Sequence, residues 1–558
     1  MLIRSKLKTV LVKLLDIISF TYILIIMAII ITGGYKGSLL GIYVSARSLL
    51  NPIIILLSSI ALRYLLSRDD LSSSISVKFL INIRSYLLNA SFRNLFIAVT
   101  LFLIIFKLLQ HYSYHTYACD LSLFDYPIHY TLKGQFMYSP WWSSLKNFFG
   151  IHFWPILTFI VPFYLIYDSP IILLILQGIF TSLALIPITA IAKENGFDRE
   201  DRIYIGIFYI FNLFLWRGFE YNFHIEILYP LFLFFAFYTA FKQRFLLHTI
   251  FILLTLSIKE DAFFHCIMLE AFFFVFNGNR RIALLNIMLS LIWGFFTLKF
   301  ALPYLRPEEF ANIFLIDRYG HLGSNYTEII LYVISHPLEM CRMIFRVSLL
   351  RFILSFGFLP LLHLKLSIFG FPSLLIHLFT NFPPQFNLKF YHALPAIPFF
   401  VISSIFVLKK VDIKWRKRLL LLLVIISLSS FRTPGWLIPT PADIRAHFIF
   451  ANFNTEEVIS AQANIFPHLP RSANISIYPN RINDAKYIML KLNRRHATIE
   501  MTKEEYYKKI IELIDEGNYR IERYFYPYVI LRREKRDSRL DDKMKQLRED
   551  VLKIIKNR

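Results

Sequence analysis

The sequence predicts a polytopic, all-α membrane protein that carries a small α/β domain towards its C-terminal end. Three observations predict it. Apolar residues fill 56% of 558 positions at a mean hydropathy of +0.52, and charged residues only 18%, a balance outside that of soluble domains. Apolar runs long enough, or nearly so, to cross a hydrocarbon core of about 30 Å recur from the N-terminus to about residue 430. Beyond about 433 the chain becomes charged and mixes helical and strand periodicities. Lys and Arg outnumber Asp and Glu by 61 to 38, but the excess flanks apolar runs, which is topology information and not a nucleic-acid footprint. Cys119, Cys266 and Cys341 form no CxxC pair, so neither a disulfide framework nor a thiolate metal site is supported.

Flanking charge orients the runs. Arg4, Lys6, Lys8 and Lys13 precede the first (16–34) and place the N-terminus inside, and a second run covers 49–66. Arg68, Lys78, Arg84 and Arg93 mark a cytoplasmic linker, so the third run, 95–109, delivers the next loop to the outer face. The stretch 153–167, interrupted by Pro155 and Pro162, reads as a helix lying at the interface. Crossings then alternate at 171–192, 203–216, 227–241, 245–258, 262–276, 282–302, 341–359, 364–379, 393–408 and 419–430. Thirteen crossings leave the C-terminus outside, on a multi-pass protein of the cell membrane.

The outer domain reads as strands at 474–478, 486–490, 519–526 and 528–531, with a helix opened by the capping box Thr502-Lys-Glu-Glu505 and closed by Gly517. In the tail Leu540, Met544, Leu547, Val551 and Ile554 repeat at helical spacing. The domain organisation is therefore 1–93, two extra helices and a linker; 94–432, a transmembrane core with its first external loop at 111–169; 433–533, the outer domain; and 534–558, a charged helical tail.

With this topology six polar groups open to one face: Asp120 and Asp125; His152; Glu220, Asn222, His224 and Glu226; Lys259-Glu260-Asp261; Arg318 and His321; Tyr391 and His392. Ionisable residues near membrane depth are costly and serve substrates, ions or pairing. Each also has a plainer reading. Asp120 suits a helix N-cap, Asp125 a first-turn acid, His152 and His224 interfacial histidines, and Lys259-Glu260-Asp261 a charged helix end. The functional reading rests on all six converging.

At these residues the chain resembles the domain-of-unknown-function 2079 family of predicted membrane proteins, grouped with the GT-C glycosyltransferases. The landmarks are Asp120-Leu-Ser-Leu-Phe-Asp125 with Lys133-Gly134, His152-Phe, Gln177, Asn222-Phe-His224, Lys259-Glu-Asp261, Tyr319-Gly-His-Leu-Gly323, Tyr391-His392, Ser460-Ala-Gln-Ala-Asn464 and Pro467-His468, across about 95–533. The resemblance implies a GT-C-like core in which Asp120, at the start of an amphipathic helix ending near Gly134, is the catalytic base. Asn222 departs from it, standing where an acid is expected before the Phe-His pair.

The expected activity is sugar transfer, with inversion, from a polyprenyl (dolichyl-type) phosphate donor to an acceptor glycan, lipid or protein on the outer face. Asp120 would be the base, Asp125 would orient the acceptor or adjust Asp120, and Lys259, His152 and Arg318 would hold the donor phosphate. His224, Glu226, Glu220, Glu260, Asp261, His321, Tyr391 and His392 would line the site. No DxD or HExxH motif is present, which leaves a divalent cation open. The alternatives are a transporter or flippase with an outward-facing polar site, and a receptor-like scaffold working through its outer domain. Expected partners are membrane lipid and the lipid-linked sugar, not nucleic acid.

Overall fold

The computed structural model describes residues 2–556 except 33–34, 40–41, 47–49, most of 68–88, 278, 308–316, 432–433, 435–436, 494–500 and 535–541. Most of the linker expected at 68–88, and the boundaries expected at 433 and near 534, therefore lie outside the described residues. The chain is mostly helical and ends in a small sheet.

Among the described residues four helices are long and apolar enough to cross a membrane: Val10–Ile29, Phe92–Tyr112, Ile171–Glu194 and Arg280–Leu305. Eight further apolar helices run only 10–17 residues. At 1.5 Å per residue these fall short of a full crossing, so thirteen full-length crossings are not what the structure supports. The difference has local causes. The run at 203–216 breaks at Asn212, whose side chain caps a new helix by accepting from the Phe214 amide (3.1 Å). The run at 364–379 breaks before Pro372, which starts a second helix. The proline-interrupted stretch 153–167 forms only a 3₁₀ segment, Pro155–Phe159, and one helical turn, Val161–Tyr164.

The helix Phe92–Tyr112 starts at Ser91, whose hydroxyl accepts from the Asn94 amide. Its buried residues Leu103, Phe106, Lys107, Gln110 and His111 follow the spacing of one helix face. That face packs on Ile171–Leu183, where Gly178 lets the Ile104 backbone approach. The two N-terminal helices, Leu2–Thr32 and Leu50–Leu66, pack together through an Arg63–Asp16 ion pair (2.7 Å) and are joined by a hairpin of β1 (Tyr35–Leu39) and β2 (Ile42–Ala46).

The C-terminal sheet has the order β4-β3-β5-β7-β6, formed by β3 (Ile459–Ala461), β4 (Ile475–Ile477), β5 (Tyr487–Lys491), β6 (Tyr519–Phe525) and β7 (Tyr528–Arg533). β3 is parallel to β4 and β5, and β7 antiparallel to β5 and β6. Alternate side chains face opposite layers. Val529, Leu531, Ile488 and Leu490 pack with the helices Lys503–Asp515 and Asp542–Lys556. Tyr528, Ile530 and Met489 pack with the helix Pro441–Ala451 and with Tyr114, Ala118 and Tyr126, which follow the helix Phe92–Tyr112. The capping box at Thr502 forms, and Gly517, at φ +76°, adopts the left-handed conformation that follows the helix end. The helix Asp542–Lys556 is not a separate tail: Met544, Leu547 and Val551 are buried in the same core as the sheet.

Candidate functional site

Asp120 lies in a single wide helical turn, Ala118–Ser122, leading into the helix Leu123–Leu132. That helix ends at Gly134, whose φ of +83° suits glycine. Two contacts fix the turn from either side. The Ala118 amide donates to the Ala463 carbonyl of the C-terminal domain (2.8 Å), and the Tyr117 amide donates to Asn222 Oδ1 (3.1 Å).

The segment holding Asn222 has irregular backbone among apolar helices, so its carbonyls need donors. The neighbouring helices supply them. Lys107 Nζ donates to the carbonyls of Phe219 (3.0 Å) and Tyr221 (2.7 Å), and Gln110 Nε2 to that of Glu220 (2.7 Å). Gln177 Nε2 donates to the carbonyls of Phe219 (3.3 Å) and Asn222 (3.4 Å).

Held this way, the segment presents donors to Asp120. Tyr221 OH donates to Oδ1 (3.0 Å), Asn222 Nδ2 donates to Oδ2 (3.1 Å), and His224 Nε2 stands 3.9 Å from Oδ1. Burial pushes the Asp120 carboxyl above its usual range, and His224, the two hydrogen bonds and Lys107 offset part of that rise. The departure at Asn222 has a physical reason. An amide both donates to Asp120 and accepts from Tyr117, whereas an ionised acid would set a second negative charge against the first.

From Asp120 a chain of contacts continues inward. The His224 ring is stacked on Tyr391 (3.7 Å between centroids), and its Nδ1–H donates to Glu226 Oε2 (2.5 Å). Glu226 Oε1 accepts from Lys259 Nζ (3.1 Å). Lys259, Glu260 and Asp261 fill the gap between the helices Phe245–Leu256 and Ala262–Phe272 and send three charges to three partners. Glu260 accepts from His152 Nδ1 (2.5 Å) and from the Phe153 amide (2.9 Å), and Asp261 accepts from Tyr229 OH (2.5 Å). Burial alone would lower the Lys259 ammonium, but Glu226, Asp261 and Glu260 hold it well above the ordinary lysine value. Burial would raise the Glu260 carboxyl; the His152 ring and Lys259 bring it instead to about 2.

Arg318 and His392 flank this chain. The Arg318 guanidinium lies over the Phe382 ring (3.6 Å), and among the described residues no carboxylate is hydrogen-bonded to it. His392 is buried against Tyr391 (4.5 Å) and His377 (5.1 Å).

Three expected site residues stand elsewhere. Asp125 is clamped by Arg471 of the C-terminal domain, with Nε to Oδ2 at 2.8 Å and Nη2 to Oδ1 at 2.6 Å, and by Tyr164 OH (2.9 Å). A carboxylate so engaged ties the loop to the C-terminal domain. The Glu220 carboxylate faces Lys107 and Arg217, while its carbonyl takes Gln110. His321 is exposed, with Arg346 and Glu339 as its charged neighbours. Sequence reasoning missed Tyr221, Lys107, Gln110 and Arg471. Lys107 and Gln110 carried a signal, being polar and one turn apart in an apolar helix; Arg471 carried none. Among the described residues no three His, Cys, Asp or Glu side chains come together as a metal-ligand set.

The profile of one family, described as predicted membrane protein (DUF2079), matches residues 110–524. The chain belongs to this family. No curated protein matches the chain. The DUF2079 match takes in the Asp120 turn, the segment 219–226, Lys259–Asp261, Tyr391 and most of the C-terminal sheet, and does not include the helices Leu2–Thr32 and Leu50–Leu66.

Proposed function

We propose that this DUF2079 protein is a membrane-embedded glycosyltransferase of the GT-C type, moving a sugar from a polyprenyl-phosphate donor to an acceptor hydroxyl at the outer face of the cell membrane. The observation that carries the reading is the contact chain Asp120–His224–Glu226–Lys259, built from three separate segments around a carboxylate raised by burial. A raised carboxylate is a better base near neutral pH. In the proposed step Asp120 takes the acceptor's proton as the acceptor oxygen attacks the anomeric carbon. The bond from that carbon to the phosphate oxygen breaks, and its electron pair leaves with the polyprenyl phosphate.

Tyr221 and Asn222 hold the Asp120 carboxylate through one hydrogen bond to each oxygen. Glu226 fixes the protonated nitrogen of His224, which keeps the other nitrogen turned to Asp120. Lys259 and His152 are already matched by Glu226 and Glu260, so Arg318 takes the larger part in holding the donor phosphate, with Lys259 and His152 adding field. The orientation, with the N-terminus inside and the C-terminal sheet domain external, belongs to the same proposal.

The test is transfer from a polyprenyl-phosphate sugar by the purified full chain in lipid. Asp120→Asn keeps the shape and removes the base, and is expected to lower turnover about 100-fold or more while the donor still binds. Unchanged turnover removes Asp120 from the mechanism.

A further inference from the structure

At the opposite end of the helix Phe245–Leu256 from Lys259 lies a cavity of about 420 Å³, lined by Gln243, Phe245, His248, Glu270, Phe273 and Asn279, among others. Eight residues of helix, about 12 Å, run from His248 to Leu256 before the chain reaches Lys259, so this cavity is distinct from the Asp120 site. Its volume falls in the usual range for small-ligand sites, about 300–1,000 Å³.

The cavity contains a built acid. Glu270 is fully buried, and its Oε1 is engaged twice, by His248 Nε2 (2.6 Å) and by Asn286 Nδ2 (3.2 Å). Asn286 Oδ1 in turn accepts from Thr249 Oγ1 (3.1 Å). His248 Nδ1 meets the Ala236 carbonyl (2.9 Å), which can only accept, so this nitrogen carries a proton. The short contact from Nε2 to Oε1 then needs one more proton, on either the ring or the carboxyl. In both cases Glu270 Oε2 is left as an acceptor, and it has no hydrogen-bond partner. A buried acceptor without a donor is destabilising, and a ligand bringing a donor would relieve it.

The other lining groups narrow the ligand's chemistry. Phe245 and Phe273 line the cavity with aromatic rings, a residue type that attracts cations, and Gln243 and Asn279 line it with amides. A carboxyl oxygen in want of a donor, beside aromatic rings, suits a compact positively charged donor. We propose that this cavity binds an organic ammonium ion through Glu270 Oε2, with its carbon atoms against Phe245 and Phe273. The ammonium is either that of a free small amine or that of an aminolipid headgroup.

Calorimetric titration of ethanolamine into the purified full chain in lipid-free detergent tests the first source. Native mass spectrometry of the chain from nanodiscs of phosphatidylethanolamine, against phosphatidylcholine alone, tests the second. Saturable binding in either arm is expected, weakened at least tenfold by Glu270→Gln, which keeps the side chain's shape. Ala283→Leu, which fills the cavity without touching the acid, is expected to abolish it, while Asp120→Asn leaves it unchanged. If Glu270→Gln does not fold, Ala283→Leu alone decides. Absence of binding in both arms, or binding that neither cavity variant alters, overturns the proposal.

Discussion

Arg471→Met isolates the clamp between the loop that carries Asp125 and the C-terminal domain. In the native chain the guanidinium grips both oxygens of Asp125 and also reaches the Asp168 carbonyl (3.0 Å). The side chains of the pair are 13% and 4% exposed. Removing the guanidinium leaves Asp125 with Tyr164 OH as its remaining side-chain donor, in a place that water hardly reaches. Breaking a buried ion pair by losing one partner costs about 3–5 kcal/mol, and the residual exposure of Arg471 argues for the lower end. About 3 kcal/mol, spent on undocking, raises the undocked fraction roughly 150-fold. Hydrogen exchange of the full chain in lipid reads this directly, with faster exchange expected in 123–132 and 459–477. Asp125→Asn should act alike, and the double variant should cost less than the sum of the two. Wild-type exchange rates in Arg471→Met would refute the clamp. So would an Asp125→Asn protein that loses transfer while its exchange stays native, because that outcome returns Asp125 to the chemistry.

Three further outcomes follow from the geometry. Because burial raises Asp120 and a base must be deprotonated, the transfer rate should climb with pH through a midpoint above 3.8, the ordinary aspartate value; a pH–rate profile with its acid limb at or below that value counts against Asp120. Glu260 has its carboxyl lowered to about 2 from 4.5, so what it adds to stability is fully present above pH 4.5 and is lost as pH falls towards 2. Exchange at the Phe153 amide should stay slow down to about pH 4.5 and quicken below it, and Glu260→Gln should quicken it at every pH. At Gly178 an added Cβ would come within 3.0–3.3 Å of Ile104 atoms, two of them backbone; Gly178→Val should cost about 1–3 kcal/mol in thermal or denaturant unfolding, and should lower transfer by displacing Lys107.

The C-terminal sheet was legible because alternation along 486–490 and 528–531 matches two buried faces, and because Gly517 and the capping box punctuate the helix between them. β3 was not: three residues, all buried and lying centrally in the sheet, show no period. The polar chain could be anticipated at Asp120, His224, Glu226 and Lys259, since each stands where an apolar run stops. What separated Asp120 from Asp125 could not, because the partner of Asp125 lies 346 residues away. Helix lengths were overread for a similar reason. Hydropathy continues smoothly through Asn212 and Phe371, where capping and proline geometry end a helix.

The carbonyls of 219–222 hang from side chains on two different rods, Lys107 and Gln110 on Phe92–Tyr112 and Gln177 on Ile171–Leu183, and both rods lie in candidate spans. Helices of that kind lean more in a thin bilayer and stand straighter in a thick one. Any relative lean tugs on the cradle of Asn222, and with it on the grip around Asp120. Were both rods to span, a change in lipid thickness would reach the carboxylate through these contacts.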